Sequence, residues 1–154
     1  GYGGHAVHVL YRNFVPADVH TVRQHMPFSI GENTSGMVAY NPDDAETLGM
    51  IIAQEWTPTS CMVHQLIINP MVLRPKYAFI EKAAAWFFTH AGLLKIYGLV
   101  PENNWKARSM NEKFGFTEKC ILEDAYAVGV DYILMELKRE DCPYWTAMEQ
   151  EKSA

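Results

Sequence analysis

The hydrophobic pattern changes its period near residue 77, and this change limits the folds open to the chain. Before it, strand-length apolar runs stand at 36–40, 47–56 and 61–68. The residues Asn-Pro-Asp-Asp at 41–44 mark a turn between the first two runs. After the change, residues 77–90 are rich in alanine and carry apolar side chains at helical spacing. The chain is therefore predicted to combine antiparallel strands with helices in an α+β fold.

The remaining segments extend this prediction along the whole chain. Further strands are expected at 5–11, 95–100, 116–122 and 130–138, and further helices at 17–25 and 105–114. The resulting order is β-α, then β-β-β, then α-β-α-β-β. It predicts a mixed, mostly antiparallel sheet of six to seven strands with helices on both faces. Residues 1–138 are expected to form one domain, and 139–154 a C-terminal tail.

Composition excludes several classes of function. The 154 residues suit one domain, and 49% hydrophobic with 20% charged residues is a globular composition. The 13 basic against 18 acidic residues give a net charge of −5, which argues against a nucleic-acid or anionic-membrane binder. The uncharged apolar run at 83–94 is shorter than the roughly 20 residues of a membrane span. The N-terminal residues lack the pattern of a signal peptide.

Cysteine usage adds to this picture. Cys61, Cys120 and Cys142 are too few and too scattered for a disulfide framework or a zinc site. Free thiols are typical of a reducing compartment, so a cytoplasmic protein without a metal is expected.

Three motifs carry a family resemblance. Residues 66–79 read L-I-I-N-P-M-V-L-R-P-K-Y-A-F, an aliphatic strand end followed by a basic loop and a helix. Residues 104–107 read N-W-K-A, 112–116 read E-K-F-G-F, and 129–135 read G-V-D-Y-I-L-M. In these motifs and in the predicted order of strands and helices over 5–138, the chain resembles the GNAT superfamily of acyl-CoA N-acyltransferases. The segments V-P-E-N-N and G-V-D-Y-I-L-M are also similar to short members from tailed phages.

The resemblance implies that acetyl-CoA binds as a co-substrate. Backbone groups of Leu66, Ile67 and Ile68 would hold its pantetheine arm like an added strand. Its pyrophosphate would lie on the loop formed by Arg74, Pro75, Lys76, Tyr77, Ala78 and Phe79. A basic loop at a helix N-terminus favours a phosphate on physical grounds. Without the resemblance, the same residues describe a solvated turn and a core strand.

Two parts of the chain differ from the family pattern, the loop at 77–79 and position 111. Tyr77 and Phe79 stand where the family carries small residues, which predicts a displaced phosphate or a reshaped loop. Asn104 has two interpretations that stay open, a helix cap and a cofactor contact.

The catalytic residues are predicted from their positions near the expected thioester. His64 is the first candidate base, because it shares a strand face with Leu66 and titrates near neutral pH. Glu55 is the second, and ordinary structural roles are the alternative for both. Asn111 stands where many relatives carry a tyrosine acid. Tyr126, Tyr132 or water would then protonate the departing thiolate.

The predicted function is an N-acetyltransferase that moves an acetyl group from acetyl-CoA to an amine by direct attack. The acceptor would be an amine-bearing small molecule or a protein lysine or N-terminus, and a homodimer is left open. The altered loop and Asn111 motivate the alternative of a catalytically degenerate GNAT-fold binding module that acts through a protein partner. A third hypothesis is an interaction protein of a phage.

Overall fold

A seven-stranded sheet is the main feature of the computed structural model, which describes residues 8–26, 30–31 and 33–153. Its strands are β1 (Leu10–Asn13), β2 (Ser35–Tyr40), β3 (Thr47–Gln54), β4 (Ser60–Ile67), β5 (Lys95–Pro101), β6 (Thr117–Ala127) and β7 (Val130–Lys138). They are ordered β1-β2-β3-β4-β5-β7-β6, with β4 and β5 parallel and the pairs β1–β2, β2–β3, β5–β7 and β6–β7 antiparallel. This confirms the predicted mixed, mostly antiparallel α+β fold.

Four helices accompany the sheet within the described residues. They are α1 (Val19–His25), α2 (Phe79–Ala84, continued by a π-helical segment at Ala85–His90), α3 (Trp105–Phe114) and α4 (Pro143–Ser153). Short 3₁₀ turns lie at Pro16–Asp18, Pro70–Leu73, Pro75–Tyr77 and Arg139–Asp141. Within the described residues, no helix combines the length and the hydrophobicity that crossing a membrane requires.

Several predicted boundaries were wrong. The first strand begins at Leu10 rather than at residue 5, and residues 5–7 lie outside the described part of the chain. The long helix begins at Phe79 because Ala78 adopts a left-handed conformation, with φ 54°. Strand β6 runs five residues beyond the predicted end. The expected tail contains helix α4, which the sequence did not predict.

The chain groups into two compact units, one formed by Gly1–Gln54 with Gln65–Phe79 and the other by Glu55–His64 with Ile80–Ala154. The expectation of a single domain over 1–138 stays a prediction.

The first unit has a core between α1 and the sheet. Val22 of α1 packs with Val38, Met50 and Ile52, all of them fully buried, and Leu66 packs against this cluster. Each such side chain contributes about 1.5–3 kcal/mol by leaving water. The core therefore fixes β2, β3 and the end of β4, the strand that carries the predicted cofactor contacts.

A partly buried ion pair fixes the entry to α1 in the same unit. The two terminal guanidinium nitrogens of Arg12, Nη1 and Nη2, donate to the Asp18 carboxylate at 2.8 Å, and the Val15 N–H donates to it at 2.8 Å. Asp18 is only 5% exposed. Burial acts to raise the pKa of Asp18, but the hydrogen bonds from Arg12 and Val15 outweigh it and hold the pKa below its usual value.

The second unit is organised around β7 and the helices packed on it. Ile133, Met135 and Leu137 alternate along β7 and are buried, as expected for the inner face of a strand. Tyr144 of α4 packs its ring 6.1 Å from that of Phe114 of α3. The α4 helix is thus an integral part of this unit.

Candidate active site

The parallel pairing of β4 with β5 is short. It spans three residue pairs, Ser60 with Lys95, Cys61 with Ile96 and Met62 with Tyr97. Beyond the last pair, β5 continues for four residues to Pro101 and β4 for five to Ile67. A strand that continues beyond the residues paired with its neighbour can bind an extended ligand as an added strand.

The end of β4 is held by its own unit. Leu66, Ile67 and Ile68 are half-buried, and the N–H groups of Ile68 and Asn69 both donate to the carbonyl of Leu48, at 3.0 and 2.9 Å. The Ile68 N–H is therefore engaged within the protein. Any contact of Ile68 with an extended ligand would use its carbonyl oxygen.

The loop that follows consists of two 3₁₀ turns, each opened by a proline, Pro70 and Pro75. Its backbone N–H groups bond within the loop: Val72 to Asn69, Arg74 to Met71, Tyr77 to Arg74 and Ala78 to Pro75, all at 3.0–3.1 Å. Arg74 and Lys76 are exposed. An anion on this loop would consequently depend on these two charges more than on backbone donors.

The two bulky residues of the loop differ in position. Phe79 is 1% exposed, with its ring 6.3 Å from that of Tyr11, so its side chain lies in the interior. The Tyr11 hydroxyl donates to the Tyr77 carbonyl at 2.6 Å, and the Lys76 Nζ lies 5.0 Å from the Tyr77 ring centroid. Phe79 is thus removed from the surface of the loop, and the alternatives of a displaced phosphate and a reshaped loop both stay predictions.

The predicted base, His64, is half-buried on β4, and burial lowers its pKa below the usual 6.5. The imidazole is therefore neutral at pH 7 and able to accept a proton. Cys61, three residues earlier, is fully buried, and burial raises its pKa to about 12. A thiol with that pKa is not a nucleophile at neutral pH.

Glu55, the second candidate base, follows β3 and is exposed, with φ 52°. A left-handed conformation is uncommon for a residue other than glycine. The neighbouring Trp56 packs its ring 5.8 Å from that of Trp86 in an edge-on arrangement. The carboxylate therefore belongs to the exposed segment between β3 and β4, next to an aromatic contact.

Asn111, which replaces the family's tyrosine acid, and the two candidate tyrosines occupy different surroundings. Asn111 is buried, and its side-chain nitrogen donates to the sulfur of Met135 at 3.5 Å, so it contributes to packing between α3 and β7. Tyr126 and Tyr132 stack on the β6–β7 hairpin, with ring centroids 5.4 Å apart and planes 9° apart. Tyr126 is exposed to solvent.

A polar network that the sequence did not indicate supports this hairpin. The Glu102 N–H donates to the Asp131 carbonyl at 2.9 Å, and the Asp131 N–H donates to the Glu102 carboxylate at 3.3 Å. Arg108 donates to the Glu102 carbonyl at 2.8 Å and to the Glu118 carboxylate at 2.9 Å. These bonds tie the start of α3 to both strands of the hairpin.

Solved structures share the fold of this chain. A spermidine/spermine N-acetyltransferase from Vibrio cholerae, solved with manganese ions, superposes with a TM-score of 0.69 at 19% identity over 86% of this chain and 93% of its own. Mutant forms of the same enzyme give a TM-score of 0.70 at 19% identity over 86% and 96% of the two chains. The enzyme from the same organism with CoA and spermine gives 0.67 at 18% identity, over 86% and 96%. The fold is the GNAT fold.

No protein-family model matches this chain, and no curated protein matches it by sequence. The likeness thus lies in the three-dimensional arrangement, at sequence identities where the fold alone is shared.

Asn104 caps α3 in this GNAT fold, since its side-chain oxygen accepts the N–H of Ala107 at 3.1 Å. We expect Asn104→Ala to lower the free energy of unfolding by about 1 kcal/mol, because the cap is lost. Asn104→Asp should keep the stability, because aspartate caps equally well. Urea denaturation measures both variants. If Asn104 also contacts the cofactor, Asn104→Ala should lower the affinity for acetyl-CoA in addition to the stability.

Ala78 supplies the left-handed residue before α2, with φ 54° and ψ 34°. We expect Ala78→Gly to stabilise the protein by about 0.5 kcal/mol, because glycine relieves the strain but has more freedom when unfolded. Ala91→Gly is the matched control, since Ala91 has φ −79° and gains no such relief. Thermal unfolding should move the two variants in opposite directions, and a destabilised Ala78→Gly would contradict the assignment of strain.

Proposed function

We propose that this protein is an acetyl-CoA-dependent N-acetyltransferase that transfers the acetyl group to an amine by direct attack. The observation that carries the proposal is the GNAT fold with a β4–β5 ladder that ends after three pairs. A fold alone does not fix an activity, so the residues of the chain must supply the remaining support.

The binding residues suit the cofactor by their chemistry. Arg74 and Lys76 are exposed cations on a loop whose path two prolines define, and they would bind the phosphate oxygens. The backbone of Leu66, Ile67 and Ile68 would bind the amides of the pantetheine arm. The bound thioester supplies the acyl group.

The proton that leaves the amine would go to His64. Its imidazole is neutral at pH 7 because burial lowers its pKa. Glu55 is the second candidate, accessible to solvent at the end of β3. Asn111 cannot donate a proton as an acid, and a thiolate with a pKa near 8.5 leaves with little help. Tyr126 is the candidate donor where help is required.

The acceptor class proposed first is a polyamine. The solved structures with this fold include enzymes described as spermidine N-acetyltransferases, one of them with spermine. The net charge of −5 would attract a polycation over long range. A protein lysine or N-terminus is the second acceptor to test. Cytoplasmic location and phage origin stay predictions.

Thermal unfolding with and without acetyl-CoA tests the binding step. At about a hundred times the dissociation constant, the ligand should stabilise the protein by about 2.7 kcal/mol. For a chain of this size, the melting temperature should rise by roughly 8 °C. Arg74→Ala/Lys76→Ala should lose most of the shift, and Lys82→Ala, an exposed lysine on α2, should keep it.

Thiol release from acetyl-CoA in the presence of spermidine then tests the reaction. Thermal stabilisation followed by thiol release supports the proposal. No shift at millimolar acetyl-CoA would contradict it and favour the alternative of a GNAT-fold module that binds a protein partner.

A further inference from the structure

Gly98 of β5 lies at the point where the pairing of β4 with β5 ends. The last pair is Met62 with Tyr97, so a continued ladder would pair Val63 with Gly98, both in the second unit. Gly98 is buried and lies on the same face of β5 as Ile96, which is 4% exposed. A side chain at position 98 would therefore point into the interior of this unit.

The carbonyl of Val63 occupies the space of the missing side chain. A Cβ atom on Gly98 would lie 2.9 Å from the Val63 carbonyl oxygen and 3.8 Å from its Cγ2. Non-bonded carbon atoms are in favourable contact at about 3.5–4.0 Å, so the shorter distance is a clash with backbone. The φ of Gly98 lies outside the left-handed region, so its backbone conformation would suit other residues. Glycine is required here by the close approach of Val63.

We infer that Gly98 is a positioning residue for acetyl-CoA, because it admits the Val63 carbonyl and thereby ends the β4–β5 ladder at the place proposed for the cofactor. This inference rests on the proposed function. In a regular ladder, carbonyl groups point along the sheet at the N–H groups of the neighbouring strand. An oxygen this close to the side-chain position of Gly98 departs from that arrangement.

The same carbonyl also affects His64, the proposed base. The Val63 C=O and the His64 N–H belong to one planar peptide group, so the direction of one sets the direction of the other. A side chain at position 98 would turn this peptide or move β4 away from β5. Either change would alter both the end of the ladder and the orientation of His64.

Isothermal titration calorimetry with acetyl-CoA tests Gly98→Ala. We expect the dissociation constant to rise by about tenfold or more, because the added methyl group displaces the Val63 peptide. The matched control is Ile96→Val, which changes one methyl group at a buried position paired with Cys61 inside the ladder. Both variants should have a lower melting temperature than the wild type, but Ile96→Val should keep the wild-type affinity.

A second pair of variants tests the same contact from β4 and applies if Gly98→Ala does not fold. Val63→Gly and Val63→Ala both remove the half-buried isopropyl group, but only glycine gives the backbone additional freedom. The dissociation constant of acetyl-CoA should be about threefold higher in Val63→Gly than in Val63→Ala, because the carbonyl is then no longer held in one direction.

The outcomes distinguish this inference from the proposed function. A wild type that does not bind acetyl-CoA contradicts the proposed function, and the inference with it. If the wild type binds, an unchanged affinity in Gly98→Ala, or an equal loss of affinity in Ile96→Val, overturns only the role of Gly98. Where Gly98→Ala does not fold, equal affinities of the two Val63 variants overturn that role. A loss of affinity in Gly98→Ala that Ile96→Val does not share supports it.

Discussion

Replacing His64 by alanine is expected to lower kcat for acetyl transfer by about 100-fold while acetyl-CoA still binds, because a positioned base contributes roughly that factor. The pH profile gives a second measure. Burial lowers the His64 pKa below 6.5, so the neutral base is present above that pKa and is lost as pH falls through it. The wild-type rate should therefore fall in acid, and the variant should lack this limb of the profile.

His90→Ala is the matched control for this prediction. His90 is exposed at the end of the π-helical segment and should tolerate the change without loss of rate. Thermal unfolding with acetyl-CoA verifies that His64→Ala still folds and binds. An unchanged kcat and an unchanged pH profile would remove His64 from the mechanism, and Glu55→Gln would then be the variant to measure.

Replacing Arg12 by alanine is expected to lower the free energy of unfolding by about 3 kcal/mol, because a buried carboxylate loses its partner. The Asp18 side chain is 6% exposed and would keep only the Val15 N–H. For a chain of this length, the melting temperature should fall by roughly 10 °C. Urea denaturation at neutral pH measures the difference.

The effect of Arg12→Ala should depend on pH in one direction. In the wild type the Asp18 pKa lies below 3.8, so the contribution of the pair is present above pH 3.8 and is lost as pH falls through the lower folded value. The difference in free energy of unfolding between wild type and variant should therefore be largest at neutral pH and decrease in acid. Arg23→Ala, at an exposed position on α1, should change stability by less than about 0.5 kcal/mol. A gap that stays constant down to about pH 2.5 would contradict the role of Asp18.

The sequence predicted best where local signals mark both ends of an element. Helix α3 begins and ends at the predicted residues because Asn104 caps one end and Gly115, with φ 107°, ends the other. Strand β7 was predicted with its observed bounds, because buried and half-exposed residues alternate along it. Such signals lie within a few residues of the boundary that they set.

Helix α4 and the length of β6 were missed for a common reason. Both depend on contacts with distant parts of their unit: Trp145 of α4 donates to the Thr89 hydroxyl at 3.1 Å, and β6 is held by pairing with β7. Every residue of β6 is exposed, so no alternation of buried and exposed positions marks its length.

The elements that carry the candidate residues were predicted from the sequence. His64 lies on β4, and Arg74 and Lys76 lie on the exposed loop that follows it. Their roles stay predictions. The bonds of Glu102 with Asp131 join residues 29 positions apart, and no spacing rule connects residues at such a distance.

The two prolines of the loop after β4 have a consequence for recognition. Each ring holds its backbone φ near −65°, and the turns that they open are closed by hydrogen bonds within the loop. The loop thus has its shape before any ligand arrives, and binding there carries little loss of conformational entropy. Discrimination among anionic ligands would then rest on how well their charges match two cations on a preformed loop, with no closing motion to enforce the choice.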